Sequence, residues 1–149
     1  MAFSQQEAIA AIAISAIASD GYLLDQETER LIVLLTQMEM FKGYSEKQIT
    51  NMLDRLLNLL SEKGMDNLVA IANDVLHPEY KEIAFTLAVD LILIDGVFSG
   101  KEQTFLTRLF QVLEVPVEKA SAIFQAHSAN HQETKKKSRK YRNNQNYEK

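Results

Sequence analysis

The chain has 149 residues, of which 46% are hydrophobic and 24% charged, with 5 Gly, 2 Pro and no Cys. That is enough chain for one domain with a real core, and the lack of cysteine excludes disulfides, thiolate zinc sites and a cysteine nucleophile while suiting a reducing cytoplasm. The net charge of −4 is unevenly placed: residues 133–149 carry seven Lys/Arg against two acids, leaving nine basic against eighteen acidic residues in 1–132.

Scarce helix breakers and abundant Ala, Leu, Ile, Gln and Glu predict helices throughout. Ser4-Gln5-Gln6-Glu7 has the spacing of a capping box and opens a first helix that runs to about Ser19. Its run AIAAIAISAIA, 8–18, is too short to span a bilayer and is apolar nearly all round, as suits the centre of a bundle. Asp20-Gly21 ends it. A second helix is expected from near Asp25 to about Met40, with Leu31, Leu34, Leu35 and Met38 inward, before Gly43 breaks the chain.

Ser45-Glu46-Lys47-Gln48 is another capping box, opening a third helix to about Glu62 whose stripe is Ile49, Met52, Leu53, Leu56, Leu57 and Leu60. Gly64 closes it. A shorter fourth helix covers 66–76, and Pro78 suits the first turn of a fifth that continues to about Ile94. Ser99-Gly100-Lys101-Glu102 opens a sixth helix through about Leu113, and Val115-Pro116 leads into a seventh over 117–128. The prediction is an all-α compact bundle of about seven helices over 1–128, followed by a basic, disordered tail over 129–149 that lacks aliphatic residues from His131 on.

A duplication is also visible. DGYLLDQE, 20–27, and DGVFSGKE, 95–102, share Asp-Gly, any residue, an apolar residue, three more and Glu at an offset of 75. The helices on either side match at the same offset, which predicts two pseudo-twofold helix–turn–helix units. One reading is architectural: Gly permits the turn, Asp bonds downstream amides, Leu23 and Phe98 plug the core, and Glu27 and Glu102 suit a helix start. The other is chemical, because the pattern copies the second half of an EF-hand loop. A true EF-hand is excluded, since its earlier ligand positions hold Ala16 and Ala18 in one copy and Leu91 and Leu93 in the other. What remains is a divalent cation (Ca, Mg, Mn or Zn) shared by Asp20, Glu27, Asp95 and Glu102, with support from Asp25 and from Asp90 inside an apolar run. Alternatively Asp90, whose repeat equivalent is Ser15, lies on the one wet stripe of its helix.

AIASDGYLLDQE, 16–27, and LILIDGVFSGKE, 91–102, are where the chain resembles the TerB family of tellurite-resistance proteins and its DjlA-like relatives. The resemblance spans 1–127 in architecture. It implies a compact helical domain, a loose association with tellurite or stress response, and acidic positions for metal binding at Asp20, Glu27, Asp95 and Glu102. The chain departs from the family pattern at Ser19, Ile94, Leu24 and Gly100.

His127 and His131 are four apart, but two polar residues in a terminus explain them; His77 belongs to the turn before Pro78. No Ser/His/Asp arrangement, phosphate loop or HExxH pattern occurs, so no enzyme is expected. The segment KKKSRKYR, 135–142, suits nucleic acid or anionic lipid, or folds back on the acidic body, which itself repels nucleic acid. The expected role is a cytoplasmic domain that holds a cation and docks a protein partner. Its alternatives are a purely structural helical adaptor, or a tether acting through the tail.

Overall fold

Ser4 opens the first helix as its spacing predicts: its Oγ accepts from the Glu7 amide at 3.1 Å, and its own amide donates to Glu7 Oε1 at 3.1 Å. In this computed structural model, which describes residues 3–19, 25–93, 99–123 and 125–126, that helix is α1, Gln5–Ala18. Every residue from Ala8 to Ile17 is buried. Alanines let neighbouring helices approach closely, while each buried isoleucine contributes about 1.5–3 kcal/mol of transfer free energy. α1 therefore sits at the centre and packs against all five of the other long helices, most extensively α5 and α4.

Those helices are α2, Asp25–Thr36; α3, Glu46–Lys63; α4, Met65–Val75; α5, Pro78–Leu93; and α6, Gly100–Leu113. Residues 117–123 and 125–126 are helical as well, and no strand occurs among the described residues. The all-α bundle expected from composition is what forms.

α2 stops four residues before the Met40 that the apolar spacing suggests, and Glu39–Phe41 forms a 3-10 turn instead. The reason is Phe41. In a continuous helix it would point about 70° away from the centre of the Leu31, Leu34, Leu35 and Met38 stripe. Breaking the helix lets Phe41 bury, 1% exposed, with the Tyr44 ring 5.4 Å from its own.

α3 begins at a second capping box, Ser45 with Gln48, and buries Ile49, Met52, Leu53 and Leu56, leaving Leu57 and Leu60 half-buried. Gly64, at φ +84°, ends α3 and starts α4 in one residue. Its positive φ is the conformation that glycine allows cheaply. Gly43 is not in that region, so it marks the turn without being required by backbone geometry. Pro78 occupies the first position of α5, as expected. α6 starts from the Ser99 cap and ends at Glu114, a non-glycine held left-handed at φ 55°.

Polar residues at the start of α1 tie several elements together. Gln5 bonds the α4–α5 corner, Gln6 Nε2 donates to the Met40 carbonyl at 3.1 Å, and Arg55 of α3 donates to Glu7 Oε2 at 3.3 Å. Ser15 is fully buried, and its hydroxyl is satisfied within the helix by donating to the Ala11 carbonyl at 2.9 Å. No helix among the described residues is long and apolar enough to cross a membrane.

α1 ends at Ala18 and the described part of α5 at Leu93, 75 apart, while α2 and α6 start at Asp25 and Gly100, also 75 apart. The surroundings of the paired helices nevertheless differ. α1 is enclosed, whereas α5 keeps one exposed flank, and Asp90 is half-exposed where its sequence equivalent Ser15 is buried.

Candidate acidic site

Gln5 sits beside His77, next to the first residue of α5, and α1 packs along α5. The two helices therefore run in the same sense, and their C-terminal ends lie at the same end of the molecule. Ser19, just past α1, and Gly100, at the start of α6, line one groove there. Asp20 and Asp95, with Gly21, Leu23, Gly96 and Phe98, lie outside the described residues, so three of the five candidate ligands are placed.

Glu102 is the third residue of α6 and 9% exposed. Its Oε1 accepts from the Ser99 amide at 2.9 Å, and its own amide donates to Ser99 Oγ at 3.1 Å. The carboxylate thus caps a helix start, where it also complements the positive end of the dipole. Glu27 is the third residue of α2 and half-buried, with Leu24 where the first copy would need a capping side chain. Both glutamates therefore stand in the first turn of their helices.

Asp90 goes elsewhere. It lines a groove on α5 with Glu79, Glu82, Ile83, Thr86, Leu87 and Met38, and shares that groove with neither Glu27 nor Glu102. The reading of Asp90 as part of a wet stripe matches this position. Among the described residues, no three His, Asp or Glu side chains converge as a metal-ligand set.

The groove beside the two helix ends also carries positive charge: Lys63, Lys101 and Arg108 line it together with Asp66. Arg108 Nη1 lies 2.6 Å from Asp66 Oδ2, tying α6 to α4. Lys63 and Lys101 are exposed and supply cationic charge in the groove that Ser19 and Gly100 line. Sequence reading missed the α5 groove, although acids at 79, 82 and 90 fall on one helical face and were visible as such. His127, His131 and the tail from 129 lie outside the described residues.

No protein-family model, curated protein or solved structure matches this chain. The site must be read from its own residues.

Proposed function

We propose that this chain is a non-enzymatic, cytoplasmic TerB-like domain whose paired acidic turns hold a divalent cation and present a face to a protein partner. The observation that carries this reading is the meeting of Ser19 and Gly100 in one groove, since Ser19 immediately precedes the first copy of the repeated motif and Gly100 lies within the second. Asp20, Glu27, Asp95 and Glu102 would supply the oxygens, with water completing the shell. Cytoplasmic placement goes with the absence of cysteine. The tie to tellurite or stress rests on the resemblance alone, and growth on tellurite of a strain lacking the chain tests it.

A second reading has its own support. The Ser99–Glu102 capping box and the nearby Lys63 and Lys101 account for the acids as architecture, making the protein a helical adaptor. Calorimetric titration with calcium, magnesium, manganese and zinc separates the two. Saturable binding that disappears in Asp20→Asn/Asp95→Asn, with helicity retained, is expected. Binding absent at millimolar metal, or unchanged in the double variant, leaves the adaptor.

A further inference from the structure

Along α5, Glu79, Glu82, Thr86 and Asp90 recur at intervals of three and four, so their side chains share one face. The groove they rim has an apolar floor of Ile83, Leu87 and Met38, and Ile83 is 38% exposed. One lysine already reaches this rim: Lys119 Nζ lies 3.1 Å from Glu82 Oε2. Lys119 belongs to the helical residues 117–123, which share a second groove with α6.

The direction of that segment sets where the C-terminal residues leave the bundle. Val117 and Phe110 line the second groove, as do Gln125 and Gln103. Only a short connection separates Leu113 from residue 117, so the segment runs back along α6 towards its start. The start of α6 comes just after the end of α5 in the chain, so Gln125 lies near the end of α5 that carries Asp90. Lys135 is ten residues further on, a reach of up to roughly 35 Å, against about 24 Å for the whole of α5.

We propose that the basic segment 135–142 of the same chain docks in the α5 groove. Its six Lys/Arg residues face Glu79, Glu82 and Asp90, and Tyr141 lies on the floor of Ile83 and Leu87. Each exposed ion pair is weak, but tethering raises the effective concentration of the segment to roughly millimolar, and several pairs act together. The second groove does not suit this occupant, because 135–142 lacks the aliphatic side chains needed to fill it. The docked tail masks the acidic face from basic partners, whether or not the turns hold a cation.

The chain has no cysteine, so Ser138→Cys gives a single site for a nitroxide label in the full-length protein. Amide signals of Glu79, Ile83, Thr86 and Asp90 should broaden at low salt, while those of Asn51, Asp54 and Asn58 on exposed α3 positions stay sharp. Broadening should fall at least severalfold near 0.5 M salt, where screening shortens to about 4 Å, and in Glu79→Gln/Asp90→Asn, which leaves the Lys119–Glu82 pair in place. Broadening spread equally over α3, or absent from α5, overturns the proposal and leaves the groove to another partner. Broadening that appears only when labelled chain is mixed with isotope-enriched unlabelled chain assigns the groove to a second copy, and overturns it too.

Discussion

Gln5 accepts from the His77 amide at 2.9 Å while its Nε2 donates to the Val75 carbonyl at 2.7 Å, so one side chain closes both the end of α4 and the start of α5. These are groups that helix termini leave without backbone partners. The same contact brings the starts of α1 and α5 together and so sets the sense in which the central helices run.

Replacing Gln5 by Ala removes both bonds. About 1–2 kcal/mol of stability should be lost, less than full desolvation of two groups because the His77 bond is exposed to water. For a chain of this size that lowers Tm by roughly 2–8 °C. Gln6→Ala, which removes a single bond to the Met40 carbonyl, should cost about half as much. Urea denaturation of both variants checks the order, and equal losses would show that Gln5 does not brace the corner.

Three positions separate backbone strain from packing. An added Cβ meets nothing within 4 Å at either Gly64 or Gly43, but only Gly64 has a positive φ, +84°. Gly64→Ala should therefore cost about 1 kcal/mol or more from backbone conformation alone, while Gly43→Ala is neutral or slightly stabilising. Glu114 holds φ 55° with a side chain that gains nothing from it sterically, so Glu114→Gly should stabilise by about 0.5–1 kcal/mol. Denaturation midpoints for the three variants should thus move in different directions.

Much of the fold was legible because its signals are local. Ser4–Glu7, Ser45–Gln48 and Ser99–Glu102 each form the reciprocal cap that their spacing announces. The all-round apolarity of α1 announced its central place. The end of α2 was not legible, because no breaker stands between Thr36 and Gly43; the burial of Phe41 decides it, and that is a tertiary effect. Asp90 was legible on the same helical face as Glu79 and Glu82, but not as lining a groove with Met38, since that depends on which flank of α5 stays uncovered.

The inequivalence of the paired helices has a direct test at Ser15. Its hydroxyl bonds only its own helix among the contacts seen, and the Ala11 carbonyl keeps a place in the backbone ladder without it. Ser15→Ala should change stability by less than about 1 kcal/mol. Ser15→Asp copies the residue found at the matching place on α5, yet puts a carboxylate where nothing is exposed. Several kcal/mol should be lost, enough to unfold much of the population. Circular dichroism melts of the pair give the comparison, and a well-folded Ser15→Asp would mean that α1 has a wet side after all.

Glu102 offers the cleanest division between capping and cation binding. The bond from the Ser99 amide needs only an oxygen acceptor, and Gln48 already provides an amide oxygen to the Ser45 amide at 2.8 Å in the equivalent box of α3. Glu102→Gln should therefore keep the box and lose no more than about 1 kcal/mol of dipole interaction. Glu102→Ala removes the acceptor and should cost about 1–2 kcal/mol. A bound cation adds stability that grows with metal concentration as RT ln(1 + [L]/Kd). Thermal melts in millimolar calcium or manganese should accordingly raise the Tm of the natural chain and leave that of Glu102→Gln unmoved. An equal rise in both would remove Glu102 from the ligand set, because an amide oxygen lacks the charge that a hard cation selects. No rise in either would confine the residue to its cap on α6.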